Sequence, residues 1–179
     1  VLIGRVCPVV DRTGMSQTGS HDQGPDRSPG QVYRRAARAG AVNKPFSQAC
    51  ENNKRPILAV LEQHLGGVSS LLEIGSGTGQ HAAYFAAHLP HLCWQASDQP
   101  RHLPGIRAWQ EEAALPNLPP PLELDVDHWP WPVLETQAVF SANTAHIMSA
   151  DAVVAMFDRV SEALRPDGCF GRCRCRRQQ

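Results

Sequence analysis

Ser70-Leu71-Leu72-Glu73-Ile74-Gly75-Ser76-Gly77-Thr78-Gly79-Gln80-His81 is the stretch whose reading decides the fold. A short apolar run ends on glycines at alternate positions and gives way to Gln80 to His88, where Ala82, Phe85 and Ala86 fall on one helical face. The run reads as a buried parallel strand and the segment after it as a helix. Glycines between them let the chain turn sharply and let its backbone come close to a ligand, because no Cβ obstructs it.

The same alternation continues outward. Upstream, Pro56 at a first helical turn and Ile57, Leu58, Leu61 and Leu65 at helical spacing predict a helix that Gly66-Gly67 stops. Downstream, Leu92 to Ser97 predicts a second strand ending at Asp98, and residues 104–114 a helix carrying Ile106 and Trp109. Leu122 to Val126 predicts a third strand and, after the Trp129-Pro130-Trp131-Pro132 turn, Gln137 to Ala142 a fourth. Ala150 to Leu164 is amphipathic through Val153, Val154, Phe157, Val160 and Leu164. Arg165-Pro166-Asp167-Gly168 reads as a turn and Cys169-Phe170 as the opening of a fifth strand. Strands alternating with helices across short loops predict an α/β fold, a doubly wound sheet with right-handed crossovers. Its ligands bind beyond the carboxyl ends of the strands, so function is sought there.

At 179 residues the chain predicts one domain. No stretch reaches the roughly 18 apolar residues of a membrane span, which predicts a soluble, cytoplasmic protein. The opening on Val suggests that the true start of the gene product is not in view. Charge is uneven: residues 1–43 sum to +3, residues 171–179 to +4 and residues 44–170 to −7. An acidic body of this kind predicts that nucleic acid is not the partner. Residues 1–43, rich in Gly, Ser, Pro, Gln and Arg, read as a disordered segment with a short helix near Gln31 to Ala41. Residues 44–170 read as the folded domain, and residues 171–179, with Arg172, Arg174, Arg176 and Arg177, as a solvated basic tail that is not a strand. None of the six cysteines forms a C-x-x-C pair, so no metal is expected and thiols are the default. Cys93, in an apolar run, reads as a small buried hydrophobe.

The strand ends carry the candidate chemistry. Asp98 falls 21 residues beyond Gly77, where a carboxylate can accept from both hydroxyls of a ribose. With Asp125 in register on the third strand, a nucleoside-binding crevice is favoured over a merely structural glycine turn. A dinucleotide fingerprint needs G-x-G-x-x-G, but Gln80 follows Gly79 and the third glycine comes one residue early, which disfavours NAD. Glu73, two places before the first glycine, would repel a pyrophosphate but suits a ligand bearing an ammonium and a sulfonium. S-adenosyl-L-methionine has both and no phosphate.

The Glu-x-Gly-x-Gly-x-Gly turn with Asp98 resembles class I S-adenosylmethionine-dependent methyltransferases. More narrowly, Phe46-Ser47-Gln48-Ala49-Cys50-Glu51-Asn52-Asn53-Lys54-Arg55-Pro56-Ile57-Leu58, Gly77-Thr78-Gly79-Gln80-His81, Trp94-Gln95-Ala96-Ser97-Asp98, Leu124-Asp125-Val126 and Ser141-Ala142-Asn143-Thr144-Ala145-His146 resemble the methyltransferase-like 26 family. The resemblance covers about residues 44–170 and implies a Rossmann-like sheet of seven strands, S-adenosylmethionine as methyl donor and an unidentified acceptor, small molecule or protein. It implies that Glu73 meets the donor's ammonium directly or through water, that Gly75, Gly77 and Gly79 admit its amino-acid moiety and adenosine, and that Asp98 holds the ribose. It further implies that Asp125 and Val126 border adenine, that Asn143 lines the methionine side, and that Glu51 and Asn53 close over the pocket.

The sequence departs from that family at Asn52 and Arg55, and again where Gly171-Arg172-Cys173-Arg174-Cys175 replaces a glycine-rich, aromatic continuation. The tail resembles a shifted reading frame or an alternative splice product. It predicts a truncated sheet with an exposed parallel edge and, as the alternative to an enzyme, a non-catalytic or unstable isoform that binds a nucleoside or partner. Methyl transfer is an in-line displacement in which positioning does most of the work. His146, after the fourth strand, is the candidate base, against the reading of a satisfied structural histidine. His81 is expected to cap or pack, Trp94 and Trp109 to be core, Trp129 and Trp131 to be packed turn residues, and Asp127 and His128 a solvated turn.

Overall fold

The computed structural model describes residues 44–128, 130–132 and 135–173, together with the backbone of residues 2–5. A mixed sheet contains β1 (Leu2–Arg5), β2 (Ser70–Ile74), β3 (Cys93–Asp98), β4 (Leu122–Glu123), β5 (Thr136–Ala142) and β6 (Leu164–Cys173). Its order is β1-β6-β5-β2-β3-β4, with β6, β5, β2, β3 and β4 mutually parallel. Among the described residues four helices connect them, α1 (Gln48–His64), α2 (Gln80–His88), α3 (Leu103–Ala113) and α4 (Ala150–Ala163). This is the doubly wound α/β architecture that the alternation of segments predicts.

Side-chain alternation assigns each face of the sheet. Leu71, Trp94, Ala96, Ala138 and Phe140 pack beneath α1, α2 and α3, whereas Leu72, Ile74, Val139 and Phe170 meet α4 through Met156, Val160 and Ala163. Period-two placement puts Glu73 on the face of Leu71, inside the first layer. Phe85, Trp94 and Phe140 meet there with ring centroids 5.2 to 5.9 Å apart. Trp94 is core, as expected. Trp109 only packs against that core while donating Nε1–H to the Pro45 carbonyl at 2.7 Å, with Lys44 over its ring.

Several elements differ from the sequence reading. The first helix begins at Gln48, well before Pro56, because Ser47 caps it by accepting from the Cys50 N–H. Proline inside a helix removes a ladder bond, but the exposed Pro56 follows turns anchored to α2, through Gln80 Oε1 bound by the Ser47 N–H and Asn53 bound to His81. Cys93 is exposed rather than buried, since it opens β3 at the sheet's lower end. The third predicted strand pairs only over Leu122–Glu123, because Asp125 turns the chain by accepting from the Asp127 N–H at 3.1 Å.

The C-terminal expectations need the largest correction. Arg172 and Cys173 lie in β6, in register with Ser141 and Ala142. The predicted turn at residues 165–168 survives as a bulge, because Thr136 pairs Leu164 while Ala138 already pairs Cys169. The outer edge of β6 is not open: Leu2–Arg5, expected to be disordered, pair antiparallel with Cys169–Arg172. Backbone groups that a parallel edge would leave bare are thereby satisfied along this stretch. The predicted helix near Gln31 to Ala41, the disorder expected over 6–43, Trp129 and residues 174–179 of the basic tail lie outside the described residues. Among the described residues no helix is long and apolar enough to cross a membrane.

Candidate functional site

The glycine turn is built onto the neighbouring strand by backbone bonds. Gly75 N–H and Ser76 N–H both donate to the Ser97 carbonyl at 3.0 Å, and Gly77 N–H donates to Asp98 Oδ2 at 2.7 Å. Asp98 Oδ1 accepts the Gln99 N–H at 2.7 Å. A carboxylate has about four acceptor positions, so each oxygen keeps capacity for a ligand hydroxyl. All three glycines have positive φ, at 73°, 59° and 89°, yet they face different things. A Cβ on Gly75 would lie 2.5 Å from Thr144 Cγ2, and one on Gly79 would lie 2.8 Å from Ile106 Cα. A Cβ on Gly77 would meet nothing within 4 Å.

Under the turn lies a buried polar knot. Trp94 Nε1–H and Ser76 Oγ–H donate to Glu73 Oε2 at 3.0 and 2.8 Å, and the Ser97 N–H and hydroxyl bond Ser76 Oγ and the Glu73 carbonyl. Glu73 is 1 % exposed. Burial pushes its carboxyl up to about 7, against the pull of the Trp94 and Ser76 donors, and nearby Asp98 adds to the rise.

Above the strand ends opens a cavity of about 900 Å³. Its floor is Ile74 to Thr78, one side is Asp98, Gln99, Leu124 and Val126, and the other is Asn143, Thr144 and the turn through His146 to Ser149. At the start of α1, Ser47 to Cys50 with Asn52 and Asn53 close the wall opposite. Gly75, Gly77, Asp98, Val126, Asn143 and His146 thus come together as the sequence predicts. His146 is exposed on the rim rather than a satisfied structural histidine. Asn143, with φ 59°, donates its N–H to the Cys173 carbonyl at 2.9 Å, and Thr144 Oγ1 donates to the Ala142 and Gly75 carbonyls at 3.1 and 3.3 Å.

Four predicted residues are placed elsewhere. Glu73 is off the cavity wall, because its side chain points into the α1–α2 layer toward Trp94. Gly79 faces α3, where its missing Cβ lets the two helices close. Asp125 braces its own turn, taking Gln99 Nε2–H at 3.1 Å with His128 Nδ1 3.5 Å away, and leaves the wall to Val126 and Asp127. Glu51 lies on a separate recess of about 220 Å³ and pairs with Lys54.

His81 is buried and packs, as expected, while also lining the cavity beside Asn53. Its Nε2–H donates to Asn53 Oδ1 at 2.7 Å. Burial lowers its pKa to about 4, with Lys54 adding to the fall against the Cys50 carbonyl, so the ring is neutral near pH 7. Asn53 Nδ2 is buried and has no hydrogen-bond partner among the described residues. An orphaned buried donor costs about 1 to 3 kcal/mol. Sequence reasoning missed Thr144, Gln99 and Arg101 among the cavity-lining residues; a polar residue just after a strand is their only signal, and it is shared with many ordinary loops.

Solved proteins share this fold. The apo S-adenosylmethionine-dependent methyltransferase SibL superposes with a TM-score of 0.60 at 21% identity, over 66% of this chain and 34% of its own. PigF, solved with SAH, gives 0.56 at 18% identity, over 64% and 35%. YcgJ from Bacillus subtilis gives 0.54 at 19% identity, over 67% and 49%. At such identities the likeness is one of fold, and the chain spans between about a third and a half of these proteins' lengths. Structural neighbours that are S-adenosylmethionine-dependent methyltransferases thus carry the same Rossmann-like sheet. By its sequence from residue 44 to residue 171, the chain belongs to the family described as Protein of unknown function (DUF938).

Proposed function

We propose that this chain is an S-adenosylmethionine-dependent methyltransferase, of the kind that its resemblance to the methyltransferase-like 26 family implies. The observation that carries the reading is the bridge from Asp98 Oδ2 to the Gly77 N–H on the floor of the cavity. It sets a carboxylate with spare acceptor positions beside a backbone turn whose Gly77 leaves open space toward a ligand. Those features suit a ribose and an uncharged adenosyl end better than a pyrophosphate, and they fit the donor. Asp98 would hold the ribose, Val126 would border adenine, and Gly75, Gly77 and Asn143 would flank the amino-acid end. Bound there, the donor supplies an electrophilic methyl group.

The chain's own part is positioning. A volume of about 900 Å³ lies near the top of the range for small-molecule sites, room for a donor and a second molecule together. His146 takes the proton of an acceptor hydroxyl or amine from the exposed rim. The acceptor is a small molecule or a protein side chain rather than nucleic acid, in keeping with the acidic body of the domain. Cys50 and Cys93 are thiols, in keeping with a reducing compartment such as the cytoplasm.

Thermal-shift measurements with S-adenosylmethionine, its demethylated product and NADH test the reading. The product is expected to raise the midpoint and NADH to leave it unchanged, since a ligand that binds only the native state stabilises by mass action. A rise with NADH alone would reverse the choice of cofactor. Asp98→Ala is expected to weaken product binding by about 2 kcal/mol, the scale of a lost hydrogen bond to a charged group. Unchanged calorimetric affinity would remove the ribose assignment.

A further inference from the structure

We propose that Asn53, oriented by His81, is the recognition donor for the carboxylate at the amino-acid end of the methyl donor. The inference rests on the methyl-donor reading above and adds the group that distinguishes the whole donor from its adenosyl half. Asn53 lines the cavity and is 9 % exposed, yet its Nδ2 has no partner among the described residues. Its Oδ1 is already taken by His81 Nε2, whose ring is buried and locked by packing on Phe85 at 5.1 Å. One end of the amide is therefore fixed, and the other is a donor waiting for an acceptor.

Electrostatics around this donor favours an anion. The first turn of α2 holds His81 and contains no acidic residue, and its N-cap, Gly79, has no side chain to offer, so only the Gln80 N–H is capped, by the Thr78 hydroxyl at 3.3 Å. That end of a helix carries partial positive charge. Cys50, on the same wall, has its thiol pKa raised by burial and so brings no negative charge. Glu51 is neutralised by Lys54, which also lies over the Tyr84 ring. Asp98 and Val126 claim the β3–β4 side of the glycine turn for the adenosyl half. The remainder of the donor then extends over β2 toward α1, where Asn53 stands. Gln80 has a similar orphaned Nε2, but it lines the smaller separate recess.

The test is calorimetry on the full chain with two probes, S-adenosylhomocysteine and 5′-methylthioadenosine, which shares the adenosyl thioether but lacks the amino-acid end. Asn53→Leu is expected to weaken S-adenosylhomocysteine about tenfold or more, as for a lost hydrogen bond to a charged group, and 5′-methylthioadenosine less than about twofold. His81→Leu should give the same split in smaller measure, because the amide loses its orientation. Asn53→Asp keeps the size and the bond to His81, covers the case in which Asn53→Leu fails to fold, and should discriminate more strongly because two carboxylates would face each other. Equal weakening of both probes, or no weakening of either, overturns the assignment of Asn53 while leaving the methyl-donor reading intact. A parent chain that binds neither probe overturns that reading and this inference with it.

Discussion

Replacing Glu73 by Gln is expected to raise stability at pH 8, relative to pH 4.5, by about 3 kcal/mol more than the parent chain shows, as measured by urea unfolding at each pH. The buried carboxyl titrates near 7 when folded, against a reference of 4.5. Below 4.5 both states hold the proton and the group is silent. Between 4.5 and 7 the unfolded chain releases its proton while the folded chain keeps it, so parental stability falls by about 1.4 kcal/mol for each unit that the pH rises. Above 7 the full penalty persists. Gln has nothing to ionise and still offers an oxygen to Trp94 and Ser76, so this fall disappears in the variant. His81 works in the opposite sense: with a folded value of about 4 against 6.5, it makes the protein less stable as pH drops through that window. The two slopes nearly cancel in the parent between pH 4.5 and 6.5. Glu73→Gln therefore uncovers an acid sensitivity that the parent hides. Parallel stability curves for parent and variant would show that Glu73 is not the carboxyl held neutral by its surroundings.

Gly79→Ala is expected to destabilise the fold by about 3 kcal/mol, combining left-handed backbone strain with overpacking. The methyl would meet Ile106 Cα at 2.8 Å and Trp109 Cβ at 3.3 Å, so α3 must move off α2. Gly77→Ala makes the contrast. It has similar backbone strain but nothing within 4 Å of the new methyl, so its stability loss is held to about 1 to 2 kcal/mol. Its larger effect falls on ligand affinity, because the methyl enters the cavity. Denaturation midpoints and product binding measured on both variants check the pair; equal stability losses would mean that α3 yields freely.

Local pattern carried β2 and α2 in the sequence, since Ser70–Ile74 and Gln80–His88 emerge with the predicted bounds. It failed where tertiary contacts override local preference. Pro56 looks like a helix start until Ser47, Gln80 and His81 hold the preceding turns, and Arg172 looks like tail until β5 offers it a partner. The site divides in the same way. Asp98 and the glycines are legible because strand ends face the ligand side in any such sheet. Glu73 is not, because strand alternation sends it into the layer below while its neighbour Ile74 reaches the cavity floor. Asn53 acquires meaning only through His81, 28 positions away in sequence.

The antiparallel closure of β1 on β6 sets the order in which the molecule can assemble. β2, α2 and β3 are near neighbours along the chain and can condense early, whereas Leu2 meets Arg172. Such distant pairings form slowly and late. On a ribosome Leu2–Arg5 must wait, unpaired, until Cys169–Arg172 have emerged, leaving the growing fold with one temporarily adhesive border.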